Sequence, residues 1–214
     1  MSNFEYILSS LPLLTADFKY AEGAGFQTVL DEIRRDLSEA DTATVEFLLR
    51  GFDDGQLDED FYAAALRHRN RFIREYFRFD LNLRNAKVRY LNQELQRSPG
   101  QDVMTGENPD APDTDIDGFR FTAGEFQEAA VVENALASTD LVSREKALDD
   151  ILWKKVDDLV TFHYFDLEAV LGYIAKLHIV NRWLALDETA GRERFHQLVE
   201  EVRGTFKGVE YTEQ

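Results

Sequence analysis

The chain has 214 residues, 44% of them hydrophobic and 30% charged, with 16 Phe and 8 Tyr. That composition excludes intrinsic disorder and leaves room for one good-sized domain or two small ones. A net charge of −17 disfavours nonspecific binding to nucleic acid or to an anionic membrane, and the absence of Cys excludes a disulfide framework, a thiolate metal site and a cysteine nucleophile.

The opening MSNFEYILSSLPLL has no Lys or Arg before its short apolar run and does not read as a signal peptide. Phe26–Leu37 reads as a short helix, and Asp41 is placed to cap a second one running to about Arg50. Gly51 and Gly55 bracket a turn. Asp58, Glu59 and Asp60 then put negative charge where a helix N-terminus welcomes it. Phe61, Ala65, Phe72 and Tyr76 keep a helical stripe that resumes as Leu81, Val88, Leu91 and Leu95. Either one helix runs over about 59–96, or two helices meet near Asp80.

Residues 98–118 hold three of the four prolines, three glycines, six acids and no basic residue. An acidic, flexible linker over 98–121 is therefore expected between a first helical lobe, 1–97, and a second, 122–214. Thr122 and Glu125 form a T-x-x-E capping box ahead of a helix over Phe126–Ala137. Leu148, Leu152, Val156 and Leu159 give a 4-4-3 stripe. Phe165–Leu186 is apolar nearly all round, as a central helix surrounded by others must be. It carries Glu168, Lys176, His178 and Arg182, which argue for burial in protein, not lipid. Asp187 is placed to cap a last helix with Phe195, Leu198 and Val202. No Asn-Gly or Asp-Gly hairpin signal appears, and the expected fold class is all-α, two repeated helical bundles with long central helices.

Few motifs suggest chemistry. Asp113, Asp115, Asp117 and Gly118 open like a calcium loop, but position 12 is Gly124 where a bidentate carboxylate is needed, so a solvated acidic turn is expected. Glu193 and His196 have the Glu-x-x-His spacing of di-iron bundles, yet His68, His163 and His178 lack an acid three residues earlier to complete a second motif. His163 near Asp166 has the arrangement of an oriented general base, but no nucleophile motif accompanies it, and HYFD reads better as a helix-to-helix junction. Phosphate-binding loops are absent. No catalytic residue, metal or cofactor is expected.

Charge segregation is the strongest signal. Between residues 67 and 97 stand nine basic residues, Arg67, Arg69, Arg71, Arg74, Arg78, Arg84, Lys87, Arg89 and Arg97, against only Glu75, Asp80 and Glu94. The first eight form a candidate partner-binding ridge; the rival reading pairs them internally with acids of neighbouring helices. His178 and Asn181 interrupt the central apolar helix and must find partners or fix its register.

Residues 164–187, YFDLEAVLGYIAKLHIVNRWLALD, resemble the long-helix segment of the C-type subunit (d-type in eukaryotes) of V-type and archaeal-type ATPases. Tyr173-Ile174-Ala175-Lys176 is followed by His178-Ile179-Val180-Asn181, with the asparagine matching and histidine standing where that family has glutamate. The stretch around Asp80 and residues 82–84 resembles the equivalent segment of a preceding repeat. The whole chain, including FEYILSSLPLL and RWLALDETAGRERF, is similar to a small family of uncharacterised proteins encoded among rotary ATPase subunits. The resemblance implies a non-catalytic, cytoplasmic, all-helical subunit, peripheral to the inner membrane through its partners and not inserted in it. Those partners are the central stalk and the membrane proteolipid ring. It also implies that the arginine ridge meets an acidic partner surface, and that Asp80, Lys176, His178 and Asn181 hold helix register. Members of the C-type family have three repeats, whereas this chain has room for two. The alternatives are a metal-dependent helical-bundle enzyme built on Glu193 and His196, and an acidic helical adaptor.

Overall fold

The computed structural model describes residues 2–17, 25–104 and 126–185. Its regular elements are helical: α1 (Phe4–Ser10), α2 (Phe26–Arg35), α3 (Glu39–Arg50), a 3₁₀ turn (Asp54–Gln56), α4 (Glu59–Leu66), α5 (Arg71–Glu94), α6 (Ala129–Leu136), α7 (Leu141–Val160) and α8 (Leu167–Leu184). The protein is all-α, as its sequence predicts.

Short polar side chains start most of these helices by accepting a hydrogen bond from a backbone N–H that the first turn leaves unpaired. Asn3 accepts from the Tyr6 amide, Asp58 from Phe61, Asn70 from Ile73, Asp140 from Ser143 and Asp166 from Ala169, at 2.7–3.2 Å. At α3 the cap is Ser38, not Asp41. The Asp41 amide donates to Ser38 Oγ, while the Asp41 carboxylate accepts from the Ser38 and Ser2 hydroxyls. The spacing is that of a capping box, with Asp41 in its third position.

The long basic segment breaks at 67–70 and not near Asp80. Asn70 caps α5, and the Arg74 guanidinium donates to the carbonyls of His68 and Arg69 at 2.7 and 2.8 Å, occupying acceptors that the end of α4 leaves open. α5 then continues through Asp80, whose charge is met one turn later by Arg84. α6 starts at Ala129, three residues inside the expected helix, and α8 starts at Leu167 because Asp166 caps it. The Thr122–Glu125 box and the helix expected after Asp187 lie outside the described residues.

α8 is the centre of the packing. It touches α1, α2, α3, α5 and α7, which buries Val170, Leu171, Ile174, Ala175 and Leu177 in a core shared with Val29, Ile33, Val45, Leu48, Phe61, Phe72 and Phe77. Residues from both sides of the 98–121 segment thus enter one core. A second cluster joins Phe79 and Leu83 of α5 to Val132 and Leu136 of α6 and Leu148 of α7. A third sets Trp153 of α7 against Ile179 and Val180 of α8. From the predicted α7 stripe, Leu152 packs against all three clusters.

Two glycines mark close approaches. A Cβ on Gly172 of α8 would lie 2.6 Å from Val160 of α7. A Cβ on Gly51, the residue after α3, would run into the Phe77 ring and come within 2.8 Å of Phe61. Aromatic rings locked in a core cannot step aside cheaply, and overpacking of this kind costs about 1–3 kcal/mol. Gly51→Ala is therefore expected to lower the unfolding free energy by about 2 kcal/mol. Gly100→Ala, where nothing lies within 4 Å, should be near neutral. Urea denaturation of the two variants checks this; equal midpoints would refute the packing at Gly51.

Candidate functional site

Three polar assemblies lie in or against the helical core. The first is a seam on α5, where Asp80, Asn82, Asn85 and Asn92 are buried. Asp80 Oδ2 accepts from the Tyr62 hydroxyl at 2.6 Å and from Arg84 Nε at 2.9 Å, and Arg84 also pairs with Asp54 at 2.9 Å. Burial, then the Asp80 charge, pushes the Tyr62 hydroxyl well above its ordinary range. Tyr76 is raised for the same reasons. Burial works against the Arg84 charge, but the Asp80 carboxylate, with Asp54, outweighs it and holds the guanidinium protonated. Removing Arg84 would strand the nearly buried Asp80 carboxylate, although the arginine itself is partly exposed. The seam therefore acts as a structural lock.

Further along α5, Asn85 makes a two-way bond with the Met104 backbone, donating to its carbonyl at 2.8 Å and accepting from its amide at 3.0 Å. Asn92 donates to the Gln101 carbonyl at 2.7 Å. These asparagines fold the segment after α5 back onto the helix and satisfy backbone groups that would otherwise be unpaired.

The second assembly joins α7 to the end of α8. Asp149, 4% exposed, accepts from Trp183 Nε1 at 2.6 Å and pairs through the same oxygen with Arg182. Burial raises the Asp149 carboxyl above its usual range, while Arg182 and Trp183 pull against that shift. On the same helix, Lys176 pairs with Asp157 and lies 4.9 Å from the centre of the Trp153 ring. His178 stacks on Phe52 at 4.1 Å, with the Phe26 ring at 6.5 Å.

The third assembly is the junction between α7 and α8. His163 Nδ1 and Asp166 Oδ2 lie 2.6 Å apart, and Glu168 accepts from the Asn70 side chain at 3.1 Å. Donor atoms of His163, Asp166 and Glu168 all fall within 4.8 Å of one another, near enough to share a cation. Each already has a protein partner: Asp166 caps α8 and Glu168 ties α8 to the start of α5. Asp166 thus lies against the His163 imidazole, but among the described residues no hydroxyl nucleophile bonds it. The HYFD segment is a helix junction, as its sequence suggests.

The basic residues of 67–89 divide in two. Arg74 is tied to backbone carbonyls, Arg78 pairs with Glu75, Arg84 with Asp80 and Asp54, and Lys87 with Glu145. Arg67, Arg69, Arg71 and Arg89 are exposed, with no acidic partner among the described residues. Internal pairing therefore takes up four of the eight basic residues. Of the register candidates, Asp80 and Lys176 are held by ion pairs, His178 by aromatic stacking, and Asn181 is half-buried near the end of α8. Asp113, Asp115, Asp117, Glu193 and His196 lie outside the described residues.

An apolar groove of about 340 Å³ opens between α1 with the segment after it and the first turns of α8, lined by Leu8, Leu11, Leu14, Val160, Gly172 and Tyr173. Tyr173 Oη donates to the Pro12 carbonyl at 2.9 Å across it. Among the described residues no helix is long and apolar enough to cross a membrane.

Sequence reasoning overlooked Tyr62, Asp149 and the Asn70–Glu168 bond. Asp149, in the middle of α7, carries no local signal of its partner, since Arg182 lies 33 residues away. Asn70 had a readable cue, an asparagine three residues before Ile73 at the start of an aromatic run.

These features define an all-helical bundle whose interior polar groups are joined to one another across helices. Residues 53–205 match the family described as a protein of unknown function, DUF2764, and with most of its length matched the chain belongs to that family. No curated protein and no solved structure matches it.

Burial, then Arg182 and Arg84, pushes the His178 imidazole down to about 4, with Asp54 pulling the other way. A lowered histidine pKa means the unfolded chain binds the proton first. The stabilising contribution of neutral His178 is thus complete above about pH 6.5 and is lost as the pH falls toward 4. At pH 5 the loss amounts to about 2 kcal/mol. His178→Phe, which keeps the stack on Phe52, should gain about that much relative to the wild type between pH 7 and pH 5, measured by urea denaturation. An unchanged difference would place the imidazole in water.

Proposed function

We propose that this protein is a non-catalytic component of a rotary V/A-type ATPase or ATP synthase, cytoplasmic and held at the membrane by its partners, coupling the central stalk to the proteolipid ring. The observation that carries the reading is the segment resembling the C-type subunit: residues 167–184 of it are α8, the helix around which the rest of the bundle packs. A torque-transmitting part needs stiffness more than chemistry, and helices tied together by polar contacts supply it. Asp149–Arg182 and Asp157–Lys176 tie α7 to α8, and Asp80 of α5 reaches the Tyr62 hydroxyl of α4. The reading takes 1–97 and 122–214 as two repeated units in place of the three of the C-type family. The exposed Arg67, Arg69, Arg71 and Arg89 are its candidates for contact with an acidic stalk or ring surface.

The rival reading, a metal-dependent helical enzyme, draws support from the His163, Asp166 and Glu168 cluster. Elemental analysis of the purified protein separates the two, since that reading requires stoichiometric metal. An acidic adaptor for some other partner is the remaining alternative.

Affinity purification of the tagged protein from its native membranes in mild detergent tests the proposal. Recovery of stalk and proteolipid components in fixed ratio is expected. A preparation free of rotary ATPase components would remove the reading.

A further inference from the structure

One end of the bundle combines two features that an acidic protein has no internal reason to bring together. The α7–α8 junction presents Phe162, Tyr164 and Phe165 at 86%, 70% and 61% exposure, three large rings within four residues. Exposed rings gain nothing from water, and contiguous apolar surface of this kind marks interaction sites. The α4–α5 junction carries Arg67, Arg69 and Arg71, all exposed and without an acidic partner among the described residues. The Asn70–Glu168 hydrogen bond, from the cap of α5 to the first turn of α8, puts both junctions at the same end.

Both junctions are pre-shaped. His68 rests on the Phe47 ring at 4.8 Å and accepts from the Asn70 amide, and Arg74 fixes the carbonyls of His68 and Arg69. The aromatic turn is held by the His163–Asp166 contact and by Thr161 Oγ1 donating to the Asp157 carbonyl. Segments fixed in advance lose less entropy on binding.

We propose that this end is a docking face for a protein partner that presents carboxylates around an apolar recess. Aromatic residues with arginine are the composition of protein interface centres, where lysine is depleted. Lipid is the poorer occupant. A body carrying −17 is repelled by anionic headgroups, and the Asp166 carboxylate beside Phe165 would have to enter the interface with the rings. The partner surface is acidic because such a surface gains most from three exposed guanidinium groups that have no acidic partner among the described residues of an otherwise negative molecule. The face deepens the rotary reading and rests on it only for the partner's name.

The test is photo-crosslinking in cells of the full chain carrying p-benzoylphenylalanine at Phe162, with the joined peptides mapped by mass spectrometry. The expected product is one identified protein, joined at an Asp/Glu-rich segment. Its yield should fall about tenfold or more in the Arg67→Glu/Arg69→Glu/Arg71→Glu variant at unchanged helical circular dichroism. If the triple variant does not fold, Arg69→Glu alone is read the same way, with a smaller loss. Lipid adducts, products scattered over unrelated proteins, a yield indifferent to charge reversal, or cosedimentation of the pure protein with phosphatidylglycerol vesicles would each overturn the face. A crosslink to an acidic protein outside the rotary ATPase keeps the face and removes the functional reading. Copurified ATPase components with no crosslink from position 162 do the reverse.

Discussion

An 18-residue helix with eight buried positions spread around its circumference must be covered on every side, and α8 imposes that demand on the whole chain. Burying a Leu, Ile or Val side chain is worth about 1.5–3 kcal/mol, and α8 buries six of them. No single neighbour can satisfy it. α7 takes one side, close enough that a Cβ on Gly172 would force Val160 to shift, and α1, α2, α3 and α5 take the others. The first half of the chain is thereby committed to a helix supplied by the second half.

The polar groups follow from the same demand. Long helices crossing a crowded core carry charges that cannot all reach water, and each buried charge needs a partner within reach. Asp80 finds Arg84 one turn on and Tyr62 on α4, whereas Asp149 finds Arg182 and Trp183 across the α7–α8 interface. These contacts also fix the sliding position of one helix against the next, which hydrophobic packing alone specifies less sharply. Among the basic residues of 67–89, Arg74, Arg78, Arg84 and Lys87 are held by such partners, and Lys87 reaches Glu145 on α7. Arg67, Arg69 and Arg71, at the junction between helices, are left facing outward.

Helical class, the central role of α8 and the HYFD junction were legible because they depend on local spacing. Leu148 and Val156 repeat at helical intervals, and the acids at 58–60 stand at a helix start, whereas the caps at Asn3, Ser38, Asn70, Asp140 and Asp166 went unread. The helix break was not legible, because an aspartate inside an apolar stripe looks like an interruption until its partners are known, and Tyr62 and Arg84 are the reason α5 runs on through Asp80. Between a ridge and internal pairing of the arginines the residue order alone could not choose, because helix periodicity turns neighbouring residues to different faces. Arg74 and Arg84 point into contacts while Arg71 and Arg89 do not. The acidic segment 98–121 separates two stretches of sequence, yet nothing in its composition could reveal that helices on either side share a core.

That shared core is the central physical claim, and native-state hydrogen exchange tests it most directly. Amides of α5 from Phe72 to Leu83 and of α8 from Leu171 to Val180 should exchange only through global unfolding, with equal opening free energies and the same dependence on denaturant. Exchange of α8 through a separate, cheaper opening that leaves α5 protected would contradict it and would describe two lobes that merely touch.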